Sequence, residues 1–411
     1  MAVRVSSTRE RRRLYVVCWV LLFGMGMGGG GVYPYIGPMA VQRFGASSLV
    51  IGLLFAASSV TSMVGGPIAG LITDRLGGRK GAIVAGLLIG ALGTLGISRS
   101  GNAPALLVAM LCSSASGIGM PLLFAFVGDA ARDEGGAEPR SSTMTLVRMG
   151  FALGFAAGAP LGGVAAQTWG YAAPALIAGL VQVGLAAAAY LLLPGGQVGA
   201  LPTAAPRQVR GLPTPLLLFC LAGVLVMMGE QAKSQFLPLR LTQDLHFPPE
   251  YVGILFGAQA ALELAVLPLA GRLADRFGLT LALLVTFFMP VPYLLGVSTA
   301  TSLPEFFALQ VLGAASVAGF SGLAYVEAQR LAPGREGFAT ALYSSGYSAA
   351  RLSTGVLIGG ASQIVGVAGG LRLGAVAALV GWALLLAVAY STRRQAHQAD
   401  AVMSEGSASS V

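Results

Sequence analysis

Charged side chains are scarce in this chain. Only 10% of its 411 residues are Asp, Glu, Lys or Arg, whereas 55% are apolar. A water-soluble protein needs more polar groups than this to cover its surface, so the composition argues against a soluble domain. We therefore expect an integral membrane protein whose main solvent is lipid.

Cysteine and histidine are also rare, with three and two residues respectively. The cysteines fall inside predicted helices, and an odd number of them cannot complete a disulfide framework. The two histidines, His246 and His397, have no cluster of other metal-ligating residues near them in the sequence. We predict no metal site and no cofactor.

Long apolar runs, in contrast, are abundant. Twelve runs are each about 20 residues long, which is enough to cross a hydrocarbon layer about 30 Å thick. They lie near residues 14–38, 49–73, 81–98, 104–130, 141–167, 172–193, 214–240, 250–273, 279–297, 304–329, 338–365 and 372–391. The predicted fold class is an all-α membrane protein with twelve transmembrane helices. Since the connections are short, little chain remains for a catalytic domain, and we predict that the protein is not an enzyme.

The net charge of +9 raises the question of an acidic partner such as nucleic acid. If the N-terminus is cytoplasmic, 18 of the 25 basic residues lie in inner segments and only four in outer ones. This asymmetry follows the positive-inside rule. We therefore predict a multi-pass protein of the cell (inner) membrane with both termini in the cytoplasm, in contact with lipid and not with nucleic acid.

One phrase of sequence occurs twice, 201 positions apart, at residues 70–80 and 271–278. Flanking residues keep the same spacing, as Gly52 and Gly253 do. Two similar halves in a bilayer are typical of a transporter in which one half moves against the other around a site between them. The predicted domains are a six-helix bundle at 1–193, a cytoplasmic linker at 194–213, a second six-helix bundle at 214–395 and a disordered cytoplasmic tail at 396–411.

A second repeat concerns two arginines. Ser141-Ser142 precedes Arg148, and the same arrangement recurs 203 positions later as Ser344-Ser345 before Arg351. Both arginines lie about two helical turns after the serine pair. We predict that Arg148 and Arg351 face each other across the pseudo-twofold axis.

The first copy of the phrase, Gly70-xxx-Asp74-Arg75-x-Gly77-x-Arg79-Lys80, resembles the loop 2–3 motif of the major facilitator superfamily. This resemblance extends over almost the whole chain and implies two six-helix bundles. Within that superfamily the chain resembles the sugar efflux transporters. The segments that carry this second resemblance are 120–125, Arg148, Leu262-Glu263, Leu309-Gln310 and 332–337.

We predict that the repeated phrase acts as a conformational latch, a set of contacts that holds one state of the carrier. Glycine permits close helix contact, and an aspartate is attracted to the positive N-terminal end of a neighbouring helix. The alternative is that the basic residues only set topology. The predicted latch consists of Gly70, Asp74, Arg75, Arg79 and Lys80 in the first copy and Gly271, Asp275 and Arg276 in the second.

Six charged residues lie inside predicted helices, where each costs roughly 2.5 to 3.5 kcal/mol on insertion. Their presence predicts mutual neutralisation in a central cavity. Glu263, near the middle of its helix, is the first candidate for a proton-binding group, because loss of water favours the protonated form and a nearby cation favours the ionised form. The alternative is static ion pairing, above all for Glu230 and Lys233. The predicted proton and substrate pathway is Glu263, Glu230, Lys233, Arg148, Arg351, Glu327, Gln259, Gln310 and Tyr347.

The resemblance implies a secondary active transporter that exports sugars or glycoside-like small polar solutes in exchange for protons, by alternating access and as a monomer. A multidrug or natural-product efflux antiporter of the same fold is the first alternative. Drug antiporters of the superfamily usually have an arginine four residues before Gly117, where this chain has Ser113. A non-transporting membrane sensor or assembly factor is the second alternative, although a scaffold has no use for six charged residues in lipid.

Overall fold

The structure is a computed structural model that describes residues 8–75, 79–132, 141–194 and 213–408. These residues form helices and connecting turns, with no strand among them. In the first half, the helices are α1 Thr8–Phe44, α2 Ser48–Arg75, α3 Arg79–Arg99, α4 103–132, α5 Ser141–Trp169 and α6 Ala173–Leu192. In the second half, they are α7 Thr214–Leu239, α8 Pro249–Phe277, α9 279–299, α10 303–330, α11 336–365 and α12 367–408.

Local sequence explains where several helices begin and end. The Asn102 side chain accepts a hydrogen bond from the Ala105 amide and caps the start of α4. Ser302 and Glu305 form a capping box at the start of α10. Gly278, with a φ of 91°, separates α8 from α9, because a left-handed backbone favours glycine.

Ten helices in the described ranges are long and apolar enough to cross a membrane. One of them, Glu336–Tyr390, has 55 residues. Gly366 interrupts it with a φ of 74°, so it contains both α11 and α12. A shorter apolar stretch, Ser48–Thr61, belongs to α2. Each of the twelve predicted runs thus coincides with a helical segment, and the predicted all-α membrane fold is confirmed.

The two halves repeat the same packing. In the first half α1 contacts α5 and α6, and α3 contacts α6. In the second half α7 contacts α11 and α12, and α9 contacts α12. Between the halves, α2 contacts α11 while its mate α8 contacts α5. The sequence duplication is therefore expressed as a pseudo-symmetric pair of bundles.

We call the end of the bundle where α1 begins the terminus side and the end where α1 finishes the far side. On the far side, the halves approach each other through small residues. A side chain on Gly52 of α2 would collide with the backbone carbonyl of Gly355 in α11, and the reverse holds for Gly355. A side chain on Gly253 of α8 would collide with the backbone carbonyl of Ala159 in α5. We call these two contacts the glycine seam, and they close the far side.

The two ends of α8 differ in burial. From Val252 to Ala260 most residues are buried, whereas Ala270 is the one buried residue between 261 and 277. Its far-side part is therefore packed against the first half. Toward the terminus side, α8 is much less covered.

Two predicted segments lie outside the twelve helical runs. Residues 195–212, which form most of the predicted linker 194–213, lie outside the described residues. The structure continues α12 to Ala408, which differs from the disordered tail predicted from residue 396. Alanine occupies four of the 13 positions from 396 to 408, and alanine has the highest helix propensity of all residues.

Candidate functional site

Two neighbouring cavities lie inside the bundle, one lined by residues of both halves and the other by residues of the first half alone. The first, of about 250 Å³, is here called the charged chamber. The second, of about 200 Å³, is called the hydroxyl chamber. Phe151 of α5 borders both. The charged chamber is defined by Glu230, Lys233, Phe256, Gln259, Glu263 and Tyr347. The hydroxyl chamber is defined by Ser58, Thr94, Ser113, Ser114, Ser116 and Gln182.

A connected polar network from α7 and α8 forms the wall of the charged chamber. The Lys233 ammonium donates to Glu230 Oε1, one turn away on the same helix, in an ion pair. It also donates to Gln259 Oε1 at 3.0 Å. The Gln259 amide in turn donates to Glu263 Oε1 at 3.3 Å. The network therefore connects both carboxylates to one ammonium group.

This arrangement explains how charges are tolerated at this depth. The Lys233 side chain is only 4% exposed and the Glu230 side chain 13%. The Lys233 nitrogen also lies 5.6 Å from the centre of the Phe256 ring, close enough for a cation–π contact. Since a buried ion is stable only when paired and hydrogen-bonded, the Glu230 carboxylate depends directly on Lys233, whereas Glu263 is connected to Lys233 only through Gln259.

Replacing Lys233 with methionine is therefore expected to lower the free energy of unfolding by about 3 to 5 kcal/mol, because the carboxylate of Glu230 loses its counter-charge. Thermal unfolding of the purified, detergent-solubilised protein measures this effect. The chain's other lysine, Lys80, is a matched control. Its nitrogen lies over the Tyr190 ring at 5.2 Å, so Lys80→Met should cost at most about 1 kcal/mol. Equal losses in the two variants would contradict the pairing role of Lys233.

Arg351 of α11 connects the two chambers. Its guanidinium carbon lies 5.7 Å from the Tyr33 ring centre and 5.4 Å from the Tyr347 ring centre. Its Nε donates to Gln231 Oε1 at 3.1 Å. Tyr33 belongs to the first half and lines the hydroxyl chamber, whereas Tyr347 lines the charged chamber. The Arg351 guanidinium is thus placed to respond to changes in either chamber.

Two other predicted pathway residues lie elsewhere. Gln310 is buried and accepts a hydrogen bond from the Tyr293 hydroxyl at 3.4 Å. Glu327 pairs with Arg330, with 3.7 Å between Oε2 and Nη1, at the terminus-side end of α10. Neither residue borders the charged chamber or the hydroxyl chamber. Their part in transport stays a prediction.

The side chain of Arg148 lies outside the described residues, although its backbone belongs to α5. Whether Arg148 faces Arg351 across the pseudo-twofold axis therefore stays a prediction. The structure places Arg351 next to Tyr33, Tyr347 and Gln231.

The predicted latch is only partly described. Gly70, Asp74 and Arg75 belong to the backbone of α2, but the surroundings of Gly70 and the side chains of Asp74 and Arg75 lie outside the described residues. Arg79 is buried at the start of α3. The Lys80 contact with Tyr190 stays inside the first half.

The second copy of the latch is exposed. Asp275 and Arg276 lie on the terminus-side end of α8, and Arg276 lies 5.2 Å from the Phe277 ring centre. A side chain on Gly271 would meet no atom within 4 Å. In this conformation, close helix packing does not explain the glycine at this position.

Sequence reasoning missed the hydroxyl chamber. Thr94 of α3 hydrogen-bonds Gln182 Oε1 of α6 at 3.0 Å and the Ser113 hydroxyl of α4 at 2.9 Å. A signal was present, since these uncharged polar residues lie inside three predicted apolar runs. The sequence prediction started from charged residues and left these out, because serine and threonine in helices usually bond their own backbone.

Comparisons with known proteins agree with this architecture. The family model described as Major Facilitator Superfamily matches residues 18–218 and 219–408. Sugar efflux transporter A of Dickeya chrysanthemi is 29% identical over 370 residues, covering 88% of this chain and 93% of that protein. Sugar efflux transporter B of Salmonella typhimurium is 25% identical over 354 residues, covering 84% of this chain and 88% of that protein.

Solved structures show the same fold at low sequence identity. The crystal structure of the nucleoside transporter NupG superposes with a TM-score of 0.77 at 11% identity, covering 91% of this chain and 98% of that one. A bacterial homolog of the human lysosomal transporter Spinster, in an inward-facing and occupied conformation, gives a TM-score of 0.73 at 16% identity, covering 95% and 98%. At such identities the likeness concerns the fold alone.

Proposed function

The chain belongs to the major facilitator superfamily, and from this premise we propose that it exports sugars or glycoside-like small polar solutes in exchange for protons. The observation that carries this proposal is the charged chamber between the halves, with a hydrogen-bonded chain from Lys233 to Glu263. Relatives named sugar efflux transporters support the solute class. The protein is a transporter, and no catalytic step is part of the proposal.

Glu263 is the proposed proton carrier. Its side chain is half-buried, lines the charged chamber and accepts one hydrogen bond from the Gln259 amide. Glu230, in contrast, is held in an ion pair by Lys233. A carboxylate without a direct cation partner binds and releases protons more readily than one fixed in an ion pair.

The glycine seam supports a mechanism of alternating access. In the described conformation, the far side is closed by contacts between Gly52 and Gly355 and between Gly253 and Ala159. For solute to leave, these contacts must separate while the halves approach each other on the terminus side. The predicted latch residues at Asp74 and Asp275 lie on that terminus side, where such contacts would form.

We assign the terminus side to the cytoplasm of a cell (inner) membrane. The basic residues at the terminus side, including Arg79, Lys80 and Arg276, support this orientation through the positive-inside rule. The far side then faces outward. The proposed working unit is a monomer, because each chamber is formed within a single chain.

Everted membrane vesicles containing the protein should accumulate labelled glucose or maltose when their lumen is acidic, because protons leave as the sugar enters. A protonophore should abolish this accumulation, and vesicles without the protein should show none. Accumulation of ethidium in place of sugar would support a drug exporter. Movement of neither compound would support a sensor or assembly factor, and either of these two results would overturn the proposal.

A further inference from the structure

We propose that the hydroxyl chamber is the subsite that recognises an uncharged, hydroxyl-rich part of the solute, and that Gln182 is its main specificity residue. This inference rests on the proposed function, because it assigns one part of the transported molecule to one half of the carrier. Under this proposal the first half recognises the solute, while the charged residues of the second half handle the proton.

The two chambers differ in their distribution of charge. No charged side chain lines the hydroxyl chamber in the described part of the chain, whereas Glu230, Lys233 and Glu263 line the charged chamber. An ionised group on a solute needs a counter-charge when it leaves water. The hydroxyl chamber offers none, so its preferred occupant is uncharged.

The Gln182 side-chain amide has unused hydrogen-bond donors. Gln182 is only 7% exposed, and its Oε1 accepts a hydrogen bond from Thr94 at 3.0 Å. Its Nε2, which has two N–H groups, has no hydrogen-bond partner among the residues that the structure describes. Because Gln182 lines the chamber, these N–H groups are available to a solute group that enters it.

Glycine keeps the space beside this amide open. A side chain on Gly28 of α1 would lie 3.7 Å from the Gln182 Nε2. Gly28 and Gly29 both line the chamber. Because neither glycine has a side chain, a ligand group can approach the amide from the direction of α1.

Helix α4 supplies a set of hydroxyl acceptors. The Ser114 hydroxyl donates to the Met110 carbonyl, and the Ser116 hydroxyl donates to the Ser113 carbonyl, both at 2.9 Å. Each hydroxyl proton is therefore already used, while the oxygen lone pairs remain available as acceptors. A 3-10 turn, Ser114–Ile118, interrupts the α-helix at this point, and such interruptions often mark functional positions.

Donors from α6 and acceptors from α4 together match a molecule whose groups both donate and accept, as the hydroxyl groups of a sugar do. Ser113 takes part in this surface through its bond to Thr94. A long basic side chain at this position would bring a charge into the chamber. The hydroxyl chamber, at about 200 Å³, is smaller than the roughly 300 to 1,000 Å³ of pockets that bind drug-sized ligands.

The test measures export kinetics in vesicles with glucose, glucosamine and glucuronate, which share one ring but differ in charge. Gln182→Leu removes the amide at similar size. It should raise the KM for glucose about five- to twentyfold and change the maximal rate less than twofold, as expected for the loss of one hydrogen bond to solute. At pH 6, glucosamine and glucuronate should compete with labelled glucose at least tenfold more weakly than unlabelled glucose does.

Threonine supplies a matched control pair. Thr94 in α3 and Thr286 in α9 are both buried, and each hydroxyl oxygen lies within hydrogen-bond distance of the carbonyl four residues earlier, at 2.9 Å and 2.8 Å. Only Thr94 lines the hydroxyl chamber. Thr94→Val should therefore raise the KM for glucose, while Thr286→Val should leave it unchanged. If Gln182→Leu fails to reach the membrane, this pair decides.

The outcomes separate the two proposals. Suppose that the wild type exports glucose, and that neither Gln182→Leu nor Thr94→Val has a higher KM for glucose than the control Thr286→Val. The hydroxyl chamber is then not the solute subsite, whereas the exporter proposal stands. Equal competition by the charged sugars would overturn the inference in the same way. If the wild type moves no sugar, the proposed function fails and this inference fails with it.

Discussion

Glu263→Gln is expected to lower gradient-driven sugar accumulation at least about 100-fold while leaving sugar exchange across the membrane intact. Glutamine has nearly the same shape as glutamate and can keep the hydrogen bond that Gln259 donates at 3.3 Å. It cannot bind or release a proton, however, so the gradient can no longer act on the carrier. Exchange of sugar for sugar needs no net proton movement and should continue.

Two assays distinguish these activities. Accumulation is measured with an acidic lumen, and exchange is measured as counterflow of labelled against unlabelled sugar without a gradient. Glu305→Gln is the control, since Glu305 caps α10 on the far side, away from both chambers, and glutamine serves equally well in a capping box. Unchanged accumulation in Glu263→Gln would rule out this residue as the proton carrier.

Gly52→Leu is expected to prevent closure of the far side and so to reduce transport at least about 100-fold. The atom that a side chain would meet is the backbone carbonyl oxygen of Gly355, which cannot rotate away as a flexible side chain could. Overpacking of this kind costs about 3 kcal/mol or more, which corresponds to about a 100-fold loss of the closed state. The carrier should then remain open on the far side.

Accessibility of a buried cysteine reports this change. Ser58→Cys, introduced after the three native cysteines are replaced, places a thiol in the hydroxyl chamber at a position only 2% exposed. A membrane-impermeant maleimide on the far side should label it at least ten times faster in Gly52→Leu than in the parent. Gly184→Leu is the control, because a side chain at Gly184 meets no atom within 4 Å. Equal labelling rates would show that the seam does not gate the far side.

Much of the fold was predictable because it depends on patterns that are local in sequence. Apolar runs long enough to span lipid gave the helices, and the 201-residue spacing gave the two halves. The ion pair of Glu230 with Lys233 and the bond between Gln259 and Glu263 were also foreseeable, because residues three or four apart share one helix face.

The rest depends on contacts between helices. The bond from Lys233 to Gln259 requires a particular approach of α7 to α8, which neither helix encodes alone. The contact of Arg351 with Tyr33 likewise requires a particular approach of α11 to α1, whereas its contact with Tyr347 lies within its own helix. Gln182 has its importance only because Thr94 and the α4 serines lie around the same cavity.

The charged side chains around the charged chamber have a consequence for energetics. Two carboxylates, Glu230 and Glu263, are balanced by two cations, Lys233 and Arg351, so the described set has no net charge when all four are ionised. Uptake of one proton leaves a charge of +1. A membrane potential acts on that charge with about 2.3 kcal/mol per 100 mV. Under the proposed exchange of sugar for protons, voltage should therefore act on the protonated carrier and not on the unprotonated one, and export of a neutral sugar should be electrogenic.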